Sequence, residues 1–258
     1  MTNISNVLAF INMVNFATIV QICEEFDISE STARRMLTTL AQQGLIQRFH
    51  GGAISLNRYD TNTNVGKRSL ERHKIKREIA RKACDIIQQN STIILLGGST
   101  VCEMCHFIEN TSLTVITNSL LVLNALQYSP TVRIIFLGGL FNLQEFEVGG
   151  ILANLGLKHI RADYLFMGTA AFDEKHGFTT ADPAIELYFS CLEASEVACV
   201  LADSSKYMNG GTSVTARPNQ IKYLFTDSGL PAPVINCFES YGTKVILADI
   251  PNALQLRL

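Results

Sequence analysis

Apolar residues recur at two different periods along the chain, and the change of period divides it. In the first quarter they fall three and four apart. Residues 7–14 are apolar-rich, Ile19, Ile22, Cys23 and Phe26 form one stripe, and Ala33, Leu37, Leu40 and Ala41 form another. This spacing predicts three short helices. Only Asp27-Ile28-Ser29 separates the second from the third, a turn tight enough for a helix-turn-helix. Ser29 is placed to cap the third helix by accepting from first-turn N–H groups, and Gly44 to close it in the left-handed conformation. Residues 45–49 and 53–56 then flank His50-Gly51-Gly52, which predicts two short strands about a glycine turn, the form of a wing.

Beyond Asn90 the pattern becomes short β-branched or apolar runs, at 92–96, 113–116, 132–137, 164–167, 197–201, 223–225 and 245–247, alternating with helical stretches. Uninterrupted apolar runs imply strands buried on both faces. Their alternation with helices predicts a mostly parallel sheet. The expected fold class is therefore α/β, with a small N-terminal winged helix-turn-helix domain over residues 1–57, a polar linker over 58–73, and a larger Rossmann-like, effector-binding domain over 74–258.

Charge changes this picture little overall and sharply in two places. The formal net charge of −2 excludes a general positive field, so any contact with nucleic acid must come from a local patch. Within residues 1–58, Arg34, Arg35, Arg48 and Arg58 are matched by Glu24, Glu25, Asp27 and Glu30. Lys67, Arg68, Arg72, Lys74, Lys76, Arg77, Arg81 and Lys82 then crowd into one expected basic helix, with Ile75, Ile79 and Ala83 on a buried side. That helix either adds to the head's charge or is a solvated face. Seven cysteines, an odd number, and no secretory signal at the N-terminus point to thiols in a reducing cytoplasm. Cys102 and Cys105 have the spacing of redox and zinc sites but no second ligand pair, so they are expected to pack, and neither metal nor cofactor is expected. No apolar run reaches membrane-spanning length.

Two sets of residues carry candidate chemistry. On the outward face of the third helix stand Ser31, Thr32, Arg34, Arg35 and Thr38, following the cap Ser29, and neither arginine has an acid four residues later. Short hydroxyls and arginines suit a major groove, while Arg48, His50, Gly51 and Gly52 of the wing suit the phosphates beside it. The second set lies in loops after the strands: Gly97, Gly98, Ser99 and Thr100; Thr117, Asn118 and Ser119; Gly138 and Gly139; Gly168; and Asp203 with Lys206. A parallel sheet brings all of these to its carboxyl edge, where hydroxyls, backbone N–H groups and a lysine favour an anion, most simply a phosphate. An enzyme would need a base there, for which Asp173, Glu174, Asp182, Glu186 and His176 are the candidates. An attached nucleic-acid-binding head supplies a different purpose for binding, so no catalytic residue is expected.

Both sets resemble the DeoR/GlpR family of bacterial transcriptional repressors. In the head the resemblance rests on Arg34-Arg35 and on Arg48-Phe49-His50-Gly51-Gly52. In the body it rests on Gly98-Ser99-Thr100, Thr117-Asn118-Ser119, Gly138-Gly139, Asp163 to Gly168, and Asp203-Ser204-Ser205-Lys206. Met36 and Leu96 depart from it, each standing where the family usually has an acid. The resemblance implies a sensor domain related to sugar-phosphate isomerases, a phosphorylated sugar as effector, and double-stranded operator DNA as partner. It also implies a homodimer or homotetramer whose repression the effector relieves.

Overall fold

The structure, a computed structural model, describes residues 4–14, 16–49, 51–55, 64–181 and 185–248. Two compact units, Met1–Lys67 and Arg68–Leu258, make up the chain. In the first, α1 (Ile4–Val14), β1 (Phe16–Thr18), α2 (Ile19–Phe26), α3 (Glu30–Gln42), β2 (Ile46–Phe49) and β3 (Gly52–Ser55) follow one another. A reciprocal cap starts α2: Thr18 Oγ1 accepts from the Gln21 N–H at 3.2 Å, and the Gln21 side chain accepts from the Thr18 N–H at 2.9 Å. Ser29 Oγ accepts from the Thr32 N–H at 3.3 Å and caps α3. Beyond its far end Gly44 takes a φ of 71°, and the Leu45 N–H turns back to the Leu40 carbonyl at 3.0 Å.

Val7, Ile11, Ile22, Ala33, Leu37 and Leu40 close over Ile46 and Ala53 to form the core of this unit. The wing hairpin is antiparallel, and β1 extends it in the order β1-β3-β2. No period announces β1, because three residues are too few to show one.

Helix α4 (Asn64–Leu70) passes from one unit into the next and is followed by α5 (His73–Cys84). The expected single basic helix is thus two, broken where Arg72 adopts a left-handed φ of 49°. Part of the expected linker is helical as well, while residues 58–63 lie outside the described residues.

Next come β4 (Thr92–Leu95), α6 (Ser99–Cys102), α7 (Cys105–Ile108), β5 (Leu113–Thr117), α8 (Leu120–Leu126) and β6 (Val132–Phe136). A hairpin of β7 (Leu140–Asn142) and β8 (Glu147–Gly149) leads to α9 (Ile151–Leu157), β9 (Ala162–Met167), β10 (Ala171–Asp173) and β11 (Gly177–Thr180). The rest is α10 (Glu186–Ala194), β12 (Ser195–Leu201), β13 (Ser213–Ala216), β14 (Tyr223–Thr226), α11 (Ala232–Ser240) and β15 (Lys244–Leu247).

The seven apolar runs are the seven strands of one sheet, in the order β15-β14-β12-β9-β4-β5-β6, every neighbouring pair parallel. Both faces are covered. Ile94, Ile116, Leu165 and Val200 face a core with Leu157, Cys191 and Phe238. Ile93, Val115, Phe166 and Cys199 face another with Ile79, Met104 and Val122. Cys102 and Cys105 are buried, and the seven cysteines form no disulfide. Strand order reverses between β4 and β9, the place where loops diverge and leave a crevice at the carboxyl edge.

Candidate functional site

On α3, Ser31, Arg34 and Arg35 are exposed and Thr32 and Thr38 half-buried, so the polar face is available. Arg34 is partly engaged: its Nη2 lies 3.1 Å from Glu30 Oε2, an acid one turn earlier rather than later. Exposed pairs of this kind are weak and yield readily to a phosphate. Arg35 makes no side-chain hydrogen bond or ion pair among the described residues. Arg48 Nη1 donates to Thr38 Oγ1 at 2.8 Å, and Thr38 Oγ1 donates to the Arg34 carbonyl at 2.8 Å, which fixes the wing strand against α3. The Gly51 carbonyl accepts from the Ile19 N–H at 2.8 Å, and Gly51 has a φ of 99° that a side chain disfavours. Gly52 begins β3, Ser29 serves as the cap, and His50 lies outside the described residues.

At the sheet's carboxyl edge the polar residues divide into those that build the loops and those that stand in them. Thr117 Oγ1 donates to the Leu95 carbonyl at 2.7 Å and accepts from the Ser119 N–H at 3.0 Å. Asn118 Oδ1 accepts from the Gly97 N–H at 3.0 Å, and its Nδ2 donates to Glu147 Oε2 at 3.2 Å and to the Val148 carbonyl at 3.1 Å. These two side chains tie the loops after β4, β5 and β8 together. Ser99 and Thr100 are buried behind Gly98, and Ser119 Oγ is buried with no hydrogen-bond partner among the described residues. Gly168 sits beside the Gly97 carbonyl, across the switch point. At the start of the β7–β8 hairpin a Cβ on Gly139 would stand 2.2 Å from the Gly149 carbonyl oxygen, and Gly138 precedes it.

Asp203 is held by Arg72. Its Oδ1 accepts from Arg72 Nη1 at 2.6 Å and from the Ser205 N–H at 3.1 Å, while Arg72 Nη2 reaches Asp227 Oδ2 at 3.2 Å. No ion pair joins Asp203 to Lys206 among the described residues. A second lysine lies close by: Lys76, 2% exposed, donates to the Arg68 carbonyl. Burial pushes its pKa down to about 8, with Asp203 opposing and Lys206 reinforcing the shift. Sequence reasoning passed over Lys76 and Arg72 because they lie in a basic run. The signal was the period: Lys76 falls on the stripe of Ile79, Ala80 and Ala83. Of the basic residues expected to look outward, Arg68 pairs with Glu145 and Arg72 with Asp203 and Asp227, so this charge is directed into the body.

A cavity of about 530 Å³ opens beside these loops, lined by Leu96, Asn118, Glu147, Asn154 and Glu186 with the β7–β8 hairpin above. The candidate base Asp173 is engaged in its own turn, accepting from the N–H groups of Lys175 at 2.8 Å and His176 at 2.7 Å, with His176 Nδ1 3.1 Å away. Glu174 accepts from the Tyr207 hydroxyl at 3.0 Å. Asp182 lies outside the described residues.

Two family models match the chain: the DeoR-like helix-turn-helix domain over residues 4–59 and the DeoR C terminal sensor domain over residues 71–228. It is 28% identical over 242 residues to the L-fucose operon activator of Haemophilus influenzae, covering 93% of this chain and 97% of that one. It is likewise 28% identical over 243 residues to the transcriptional repressor AccR of Agrobacterium fabrum, covering 93% and 89%. Among solved structures, ribose 5-phosphate isomerase A from Methanocaldococcus jannaschii aligns with a TM-score of 0.40 and 14% identity, over 53% of this chain and 55% of that one. No helix among the described residues is long and apolar enough to cross a membrane.

Proposed function

We propose, from the premise that the chain belongs to the DeoR family of transcriptional regulators, that it binds a double-stranded operator under the control of a phosphorylated sugar. The observation that carries the proposal is the pairing, in one chain, of an exposed Arg35 beside a wing with a sheet edge where the charges of Lys76 and Lys206 interact and the loops after β4 and β5 bury the hydroxyls of Ser99, Thr100 and Ser119. α3 enters the major groove, Arg34, Arg35, Ser31 and Thr32 read bases or hold phosphates, and Arg48, His50 and the Gly51-Gly52 turn meet the flanking backbone. At the other site Ser99, Thr100, Ser119, Lys76 and Lys206 hold the effector's phosphate. Thr117, Asn118, Gly97, Gly98 and Gly168 shape the loops around it, and Gly138 and Gly139 shape the hairpin. Asp203 acts through Arg72 rather than on the ligand.

The chain acts as a repressor in the cytoplasm, as a homodimer or homotetramer. Leu140, Ile151, Leu152 and Leu155 are exposed on β7 and α9, an apolar surface that supports assembly with a second copy. The effector favours an arrangement of protomers that separates the two recognition helices, with a coupling of typically about 1–3 kcal/mol. Binding without turnover suits this function, since a sensor gains nothing from turnover and the candidate bases Asp173 and His176 are bound into a turn.

The proposal is tested by gel-shift titration of the chain on its own upstream region, with and without a panel of sugar phosphates, alongside thermal shifts for the same compounds. Retarded DNA that one sugar phosphate releases, the same compound raising the melting temperature, is the expected result. A chain that binds DNA and responds to no phosphorylated sugar would refute the effector.

A further inference from the structure

The two ends of the effector site differ in chemistry. Lys206, the cation of the phosphate end, follows β12, whereas the cavity of about 530 Å³ opens from Leu96 and Asn118 toward the β7–β8 hairpin, Asn154 and Glu186. In the sheet only β9 stands between β12 and β4, so the cationic end and the loop that walls the cavity are two strand spacings apart, roughly 10 Å. A volume of this size suits a small metabolite. Its lining carries three carboxylates, Glu145, Glu147 and Glu186, and three amides, Asn118, Asn142 and Asn154. No lysine, arginine or histidine lines it among the described residues.

Arg68 neutralises Glu145 from outside the lining. Glu147 folds over Gly97 so closely that a Cβ on that glycine would lie 1.8 Å from its Oε1, which places a carboxylate at the loop where Leu96 leaves none. Asn154 Oδ1 is buried with no hydrogen-bond partner among the described residues, an acceptor that gains from a donor. The lining is therefore rich in acceptors and negative. Such a surface favours O–H and N–H groups and opposes a second anion.

We infer that this cavity is the discriminating end of the effector site and admits only ligands with a single anionic group: sugar monophosphates whose far end carries hydroxyls or an amine. Bisphosphates and phosphorylated sugar acids are rejected there. The inference rests on the proposal that the effector is a phosphorylated sugar, and it adds which members of that class are accepted.

The test is calorimetric titration of the full chain with hexose 6-phosphates, 2-amino-2-deoxyhexose 6-phosphates, hexose 1,6-bisphosphates and 6-phosphogluconate. It is repeated with Glu147→Gln and with Glu186→Gln, whose exposed side chain leaves the fold unaffected. At least one monophosphate is expected to bind, with its bisphosphate or acid counterpart weaker by about a hundredfold. The gap should narrow in the glutamine variants. A bisphosphate or sugar acid that binds as tightly as its monophosphate overturns the inference and leaves a phosphorylated effector standing. An unchanged gap in both variants also overturns it, by placing the discrimination outside the cavity. If no phosphorylated sugar binds and inorganic phosphate is silent too, the effector proposal itself fails, and this inference with it.

Discussion

Arg72 and Lys76 are one helical turn apart and solve opposite electrostatic problems. Arg72 neutralises two buried carboxylates, Asp203 and Asp227, and is itself mostly covered. Removing one partner of a buried network leaves the others charged in a dry place. Arg72→Ala is therefore expected to destabilise the body by about 3–5 kcal/mol in urea unfolding, with Arg72→Lys intermediate. Lys76 has the reverse difficulty, a buried ammonium whose pKa is pushed down to about 8. An unfolded lysine titrates near pH 10.4, so between about pH 8 and 10 the unfolded chain binds more protons than the folded one, and stability should rise with pH across that window. Effector affinity should move the other way, falling above pH 8 as the phosphate loses its ammonium. Lys76→Met should abolish both dependences, and calorimetry at pH 7 and 9.5 reads them. In the head, Arg35→Ala is expected to cost about 1–3 kcal/mol of operator binding if it reads a base, or to flatten the salt slope if it holds a phosphate. Normal binding by the Arg34, Arg35 double alanine variant would move the interface elsewhere.

At the scale of elements, legibility followed burial. The inner strands of the parallel sheet are covered on both faces and read as apolar runs such as Val197 to Leu201, while the edge strands β6 and β15 are only half-covered yet still apolar enough to read. β7, β8 and β10 have three residues each, β11 and β13 four, and they pair antiparallel outside the sheet, too short for alternation to show. Helices α6 and α7, four residues apiece, are too short to show a period of their own. The glycine and hydroxyl loops were legible because residue type and strand end coincide. The cations Arg72 and Lys76 were not, because a charge in the sequence reads as solvated until a cluster of distant carboxylates is in view. Turn chemistry yields a prediction of its own. Gly139 combines a φ of 151° with the approach of the Gly149 carbonyl, so Gly139→Ala should strain or displace the hairpin at about 1–3 kcal/mol, seen as a lowered melting temperature of the body. A variant melting like the parent would show that the hairpin closes without that glycine.

For the whole molecule, the head carries little net charge, and Arg68, Arg72 and Lys76 of the basic run beyond it turn into the body. Under the proposed function, operator affinity is expected to come from pairing two heads on one site. Half-sites are expected about one helical turn, or a multiple of it, apart, and footprinting that finds full affinity for an isolated half-site would contradict this. The order of the seven-stranded sheet carries a kinetic consequence. Its central pair joins β4 to β9, and the Thr92 N–H meets the Asp163 carboxylate 71 residues further along the chain. The head's contacts, by contrast, all close within its first few dozen residues. Long-range pairing slows folding because loop entropy is lost before contacts compensate it. During synthesis the head is therefore expected to mature while the sheet's middle is still waiting for its second strand to leave the ribosome, so that under the proposed function a nascent chain could grip DNA before it could sense an effector.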